Sequence, residues 1–304
     1  MESRMESFNV GIVSKTYFYV PYWAALEHGW FAGAGLDIAT TILGNTAQAG
    51  PLESGALDVV IGTPEGVLQN AAAGGTLRMI AGSTGKLSHF VIAQSKFQRI
   101  EDLRGAVVGI LGQTEGTFFH VKTVMAAHGL HYPGDYAVKE TGGAPPRHKA
   151  LIAGTIDMGL QSVPLVYAEE ELGFSNLGDV SRYVPDWQFN TVNASLTQAY
   201  ARREAMVRFL RVMLQATEWM HTHRTEAATI AAREMEISQE HAARGWDYYT
   251  SNNVITRDIS INMQGVDCLI ETLASAGLLP AGIDRIAARY LAPEFLAEAR
   301  DSPP

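Results

Sequence analysis

The sequence predicts a two-lobed α/β protein, with two parallel-rich sheets and a group of helices at the C-terminal end. Three observations carry this. Part of the 304-residue chain repeats itself once, each repeat reads strand–helix–strand–helix–strand, and beyond Gln198 the pattern is helical with no third repeat. Parallel neighbours need a crossover helix between them, so each repeat predicts a parallel sheet and two repeats predict two sheets.

The repeat can be followed element by element. Val10-Gly11-Ile12-Val13-Ser14-Lys15-Thr16 corresponds to Val108-Gly109-Ile110-Leu111-Gly112-Gln113-Thr114, an apolar strand running into a polar turn. A helix follows in each copy and ends on His28-Gly29 or His128-Gly129, where glycine supplies the left-handed cap and histidine suits the helix dipole. Strands come next, at Asp37 to Leu43 and Tyr136 to Thr141, then helices at roughly Thr46 to Ser54 and Pro146 to Ala153. Both copies close on Gly-x-x-Asp leading into a strand, and Gly11 to Asp58 spans 47 residues against 48 from Gly109 to Asp157. Between the copies, Arg78 to Gly82 and His89 to Ala93 read as strands, and Thr191 to Leu196 alternates as a strand does. The remaining segments, Ala199 to His223, Glu226 to Met235, Gln239 to Tyr249 and Gln264 to Ala276, read as helices that pack mainly on the first lobe. The chain is expected to cross to the second lobe near residue 95 and return near 190. Lobe one is then 1–94 plus 190–304, and lobe two is 95–189.

Composition excludes several classes. The apolar fraction of 47% and charged fraction of 18% are those of a folded globular chain. A formal net charge of −9 argues against a nucleic-acid partner, which needs a basic stripe. No apolar run is long enough to span a membrane. The single cysteine, Cys268, rules out an internal disulfide and reads as a small core residue. The first residues, Met1 to Ser7, lack the basic start and apolar stretch of a secretory signal, so the expectation is a periplasmic protein if a leader has been removed and a cytoplasmic one otherwise.

The segment Pro21-Tyr22-Trp23-Ala24-Ala25-Leu26-Glu27-His28-Gly29-Trp30-Phe31-Ala32-Gly33-Ala34-Gly35-Leu36-Asp37 resembles a signature of the periplasmic substrate-binding proteins of ABC importers for sulfonates, taurine, nitrate and thiamine or riboflavin precursors. Ser54 to Val59 resembles that family's S-G-x-x-D-V segment, and Ile100 to Gly105 resembles the entry to its second lobe. The resemblance covers roughly residues 8 to 200 and implies the type II periplasmic-binding-protein fold, a small-molecule ligand, an importer permease as partner, and a monomer. The signature consists of helix faces, caps and turns, so it does not name the ligand. One enzymatic branch of the family makes the thiamine pyrimidine with a cysteine-rich motif, which this chain lacks.

In open α/β sheets ligands bind beyond the carboxyl ends of the strands. The repeat therefore points to Ser14, Lys15, Thr16, Tyr17 and Tyr19 after the first strand, and to Thr63 and Glu65 after Val59 to Gly62. In the second lobe it points to Gln113, Thr114 and Glu115, then Gln161; Asn193 and His89 lie on crossing segments. The turn Gly112 to Thr117 opens a helix whose N–H groups suit an anion, unless Thr114 only caps it and Glu115 only complements its dipole. Tyr17 and Tyr19 supply aromatic walls for a planar ligand. Glu65 and Glu115 facing one cleft disfavour a plain sulfonate or nitrate and suit a cationic or hydrogen-bonding ligand or an acid–base pair, unless Glu65 is only a first-turn helix charge. Glu169-Glu170-Glu171 reads as a solvated helix face. His221 and His223 point to different faces of one helix, and no metal or cofactor motif is present. Two functions follow: binding of a planar or anionic solute for an importer, or a cytoplasmic enzyme on the same scaffold, decarboxylase-like or in cofactor-precursor synthesis, using cleft carboxylates as acid and base.

Overall fold

The computed structural model describes residues 5–44, 47–283 and 286–301. Ten strands form two five-stranded sheets. The first holds β1 (Glu6–Ile12), β2 (Leu36–Ile42), β3 (Val59–Gly62), β4 (Leu77–Thr84) and β10 (Asn190–Ser195) in the order β2-β1-β3-β10-β4. The second holds β5 (His89–Ala93), β6 (Val107–Ile110), β7 (Ala137–Glu140), β8 (Met158–Ser162) and β9 (Ser175–Asp179) in the order β7-β6-β8-β5-β9. The two orders are the same pattern. β1 runs parallel to β2 and β3, as β6 does to β7 and β8, and one antiparallel strand, β10 or β5, sits fourth in each sheet.

The chain leaves the first sheet after Thr84 and enters the second at His89. Residues His89 to Ala93, assigned to the first lobe by a boundary at 94/95, therefore belong to the second sheet. The reason is pairing. β5 lies antiparallel against β8, with His89 opposite Ser162 and Ala93 opposite Met158.

The helices are α1 (Val20–Glu27), α2 (Trp30–Gly33), α3 (Ala49–Glu53), α4 (Glu65–Ala72), α5 (Gly116–Ala127), α6 (Ala144–Ile152), α7 (Leu165–Glu171), α8 (Leu196–Ala201), α9 (Arg203–Thr222), α10 (Arg224–Met235), α11 (Gln239–Ser251), α12 (Met263–Ser275) and α13 (Glu294–Asp301). Thr46, where α3 was expected to start, lies outside the described residues. The repeated His-Gly pairs both end helices, with Gly29 at φ 67° and Gly129 at φ 71°, the left-handed conformation that glycine adopts without penalty.

α9 shows why the C-terminal half packs on the first sheet. Ala205, Phe209, Val212, Met213, Ala216 and Met220 recur at helical spacing and are buried. Phe209 stacks between Phe8 of β1, ring centroids 5.0 Å apart, and Phe31 of α2, 5.3 Å apart. The single helix expected over 199–223 is broken at Arg202, whose backbone leaves the helix at φ −121°, ψ 36°. Its guanidinium bonds Glu6, Asp58 and the Ser7 carbonyl, gathering the start of β1 and the entry to β3.

The two Gly-x-x-Asp segments occupy equivalent places. Asp58 accepts from the Asn9 N–H at 2.7 Å, and Asp157 accepts from the Val107 N–H at 3.0 Å. In return the Asp58 and Asp157 N–H groups donate to the Asn9 and Val107 carbonyls at 2.9 and 2.7 Å. Each aspartate thus ties the entry of the third strand of its repeat to the first, and each has a cation, Arg202 or Lys96. Replacing either by alanine leaves a backbone donor unpaired, a cost of about 1–3 kcal/mol. Urea unfolding of Asp58→Ala and Asp157→Ala at neutral pH is expected to show losses of that size. Asp58→Ala should lose more, because it also abandons Arg202 in a less exposed setting.

Candidate functional site

The carboxyl ends of β1, β3 and β6 converge with the starts of β5 and β10, since antiparallel strands begin where their parallel neighbours end. Between them lies a cavity of about 40 Å³ walled by both halves. Val13, Ser14, Thr16, Thr63 and Asn190 come from the first sheet's side, and His89, Leu111, Thr117 and Arg147 from the second's. A volume of that size holds only a few waters, roughly three, so a solute enters only when the walls separate. Ser14 and Gly143 form part of the seam: a Cβ on Gly143 would lie 2.7 Å from Ser14 Oγ.

Arg147 is the cation of this cavity. It is 1% exposed. Its Nε donates to the Leu160 carbonyl at 2.9 Å and its Nη1 to the Gly142 carbonyl at 3.0 Å, while Nη2 makes no hydrogen bond among the described residues. The aliphatic stem lies over Gly109 of β6 and Gly159 of β8, which face each other in register; a Cβ on them would approach Arg147 Cγ to 3.1 Å and Cδ to 2.8 Å. Burial lowers the guanidinium to about 10, partly offset by Glu169, so it stays charged at neutral pH. His89, 2% exposed, is pushed well below its usual range by burial and then by Arg147 and His120, so it is neutral. The cavity therefore presents one positive charge and neutral hydrogen-bonding groups.

The sequence candidates divide. Ser14, Thr16, Tyr19 and Thr63 line the cavity. The Tyr19 hydroxyl is already engaged, donating to the Ile61 carbonyl and accepting from the Val13 N–H, both at 3.0 Å. Tyr17 turns the other way: its hydroxyl donates to the Ala242 carbonyl at 3.0 Å and its ring stacks on Tyr249 at 4.8 Å, so it joins the first sheet's helices to α11. Lys15 leaves the cavity for the surface and pairs with Glu234 at 3.1 Å. Gln161 and Asn193 are fully buried within β8 and β10, and Asn193 bonds Thr191 and the Gly62 carbonyl. Gln113, Thr114 and Glu115 line a separate depression of about 260 Å³ beside Glu140.

The N-terminus of α5, expected as an anion site, already has an anion from the other lobe. Thr114 does not cap it; Glu115 stands at the cap position without a side-chain cap bond. Glu65, 1% exposed on the first turn of α4, reaches across to Gly116 at the start of α5. The approach is close: a Cβ at 116 would lie 2.6 Å from Glu65 Oε1. Thr63 donates to Glu115 Oε2 at 2.8 Å. Burial, and then the Glu115 charge, raise the Glu65 carboxyl to about 8. Glu169 is a further correction: it is not solvated but fully buried, bonded to His148 Nδ1 at 2.8 Å beside the Arg147 charge. The sequence signal for Arg147 was the pair of glycines in mid-strand, where strands ordinarily carry packed side chains.

A larger depression, about 960 Å³, lies on the outer face between the α1–α2 turn, α9 and α13. It is lined from one lobe only, and two of its arginines, Arg208 and Arg300, are held by Glu6 and Asp258. None of the sequence candidates reaches it.

A pair of sheets with strand exchange and a cavity at their carboxyl ends defines a two-lobed periplasmic-binding-protein fold. The solved structures agree. A Bordetella bronchiseptica RB50 protein superposes with a TM-score of 0.82 at 19% identity, covering 97% of each chain. The nitrate-binding protein NrtA of Synechocystis PCC 6803 gives 0.78 at 11% identity over 97% of this chain and 88% of that one. The alkanesulfonate-binding protein SsuA of Xanthomonas axonopodis pv. citri, bound to MOPS, gives 0.74 at 15% identity over 94% and 98%. The chain belongs to the NMT1/THI5 like family, whose model matches residues 17–227. No curated protein matches it in sequence.

Glu65 fixes the sign of one pH dependence. Its native carboxyl, at about 8, holds a proton that an unfolded one at 4.5 has released. Between those values the native state binds more protons than the unfolded state, so this contribution to stability is full below pH 4.5 and is lost as pH rises to about 8. Thermal melts of the native protein and Glu65→Gln at acid, neutral and alkaline pH check it. The variant is expected to flatten this slope and to melt above the native protein at alkaline pH.

Proposed function

We propose that this protein binds a small anionic solute between its lobes and serves as the substrate-binding component of an ABC-type importer. The observation that carries the reading is Arg147: a buried, charged guanidinium with one nitrogen uncommitted, at the wall of a cavity that both lobes complete. An anion of a few heavy atoms supplies what that nitrogen lacks. The relatives in solved structures, one binding nitrate and one an alkanesulfonate, support the class. In this reading lobe one is built on the first sheet and lobe two on the second. The protein acts as a monomer in the periplasm and presents its closed form to a permease. Ser14, Thr16, Thr63, His89 and Asn190 complete the hydrogen bonds around the ligand. The enzyme alternative draws less support, because Glu65 and Glu115 face the α5 terminus and neither lines the cavity. Among the described residues no helix is long and apolar enough to cross a membrane.

The test is a melting screen of short sulfonates, nitrate and small carboxylates against uncharged analogues of the same size. An anion at about a hundred times its Kd adds roughly 2.7 kcal/mol of stability. Arg147→Gln keeps length and removes the charge. A hydrogen bond to a charged group contributes about 1.5–3 kcal/mol, so binding should weaken by roughly 10- to 150-fold in isothermal titration. Equal shifts from neutral analogues, or an Arg147→Gln variant that binds as well as the native protein, defeat the reading.

A further inference from the structure

The lobe interface carries an acidic pair that the cavity does not use. Glu65 comes from lobe one and Glu115 from lobe two, and both converge on the start of α5 with Thr63 donating to Glu115. Glu65 Oε2 is buried and has no hydrogen-bond partner, and among the described residues neither carboxylate forms an ion pair. Two carboxylates brought together without a cation repel, and a buried one lacks the water that stabilises its charge. The remedy available in place is a proton.

We propose that Glu65 and Glu115 form a proton-binding site that exists only while the two lobes are in contact, so that closure of the cleft takes up a proton and opening releases it. The inference rests on the two-lobed cleft reading above. Closure brings Glu65 against Gly116 beside Glu115. A proton from solvent then joins the pair as a carboxylic acid, which removes the repulsion and lets Glu65 Oε2 remain in its dry setting. When the lobes part, water returns to both carboxyls and the proton leaves.

The surrounding groups leave this pair in control. His120, on α5 and 1% exposed, is held by burial at about 3 and stays neutral. His89 is likewise neutral, and Arg147 lies in the cavity, with Nε and Nη1 donating to the Leu160 and Gly142 carbonyls. Glu53 of α3 bonds Asn70, and Arg78 of β4 donates to the Gly75 and Leu77 carbonyls. On the other elements packed nearby, Asp267, Glu271 and Arg289 are exposed, as is Glu140 on the far side of Glu115. The charge that acts on Glu65 is that of Glu115, and it adds to burial in raising the carboxyl to about 8.

The experiment needs no ligand, so it fails or succeeds independently of the melting screen. Small-angle X-ray scattering of the native protein follows the radius of gyration from about pH 5.5 to about pH 9.5. The expected result is a compact value at the acid end and one rise that is complete by about pH 8, because the closed form loses ground only between 4.5 and that value. Glu65→Gln, which is neutral at every pH, should keep the compact value throughout. Glu115→Gln, on a partly exposed loop, should shrink or abolish the rise, because an ionised Glu65 is then less unfavourable in the closed form. Far-UV circular dichroism checks that each variant is folded, and either one alone suffices to read the shift. A radius that is constant with pH in the native protein, or one that changes identically in the native protein and the folded variants, overturns the proposal.

Discussion

Each sheet depends on a strand delivered from across the molecule. β10 lies between β3 and β4, so the first sheet is complete only after the chain has built the second and returned. β5 plays the same part in the second sheet, between β8 and β9. These exchanges make two covalent crossings, one at residues 85–88 and one in the stretch ending at Phe189. The first residues after them, His89 and Asn190, stand in the cavity wall. The second crossing is anchored by Gln188, which donates to the Thr84 and Asn190 carbonyls and accepts the Asn262 N–H ahead of α12. Lobe connection and interlobe cavity thus share the same few residues.

The electrostatics of the site differ from those of the chain. The net charge is −9, yet the cavity holds an arginine and a neutral histidine. Burial explains the contrast. It discharges imidazoles at modest cost, whereas a guanidinium starts so far above neutrality that it stays charged. Two glycines of adjacent strands make room for that arginine. Glu65 and Glu115 meet each other at the lobe contact instead, at the N-terminus of α5, where the helix N–H groups partly compensate them.

Residues that sequence reasoning placed in the cleft and the structure places elsewhere share one cause. The strand-end rule gives the neighbourhood of a side chain and not its direction. Ser14, Lys15, Thr16 and Tyr17 are consecutive. Ser14 and Thr16 line the cavity, Lys15 turns outward to Glu234 on α10, and Tyr17 turns inward to α11, where Gly245 leaves space for its ring. The partners that draw Lys15 and Tyr17 away are more than 200 residues downstream, beyond any local pattern. Glu169 was misread for a similar reason: its run of three glutamates suggests solvent, but His148 on α6 and the Arg147 charge hold it inside.

The sequence by itself determined the two repeats, their β-α-β-α-β order, the caps at Gly29 and Gly129, and the equivalence of Asp58 and Asp157. All of these follow from periodicity, glycine stereochemistry and spacing, which are local. Only the tertiary structure decided that β5 belongs with the second sheet, that Arg147 rather than Lys15 is the cavity's cation, and that Glu65 reaches across to Gly116. Those outcomes depend on pairing between strands and burial between lobes, and their energies arise only when distant segments have already met.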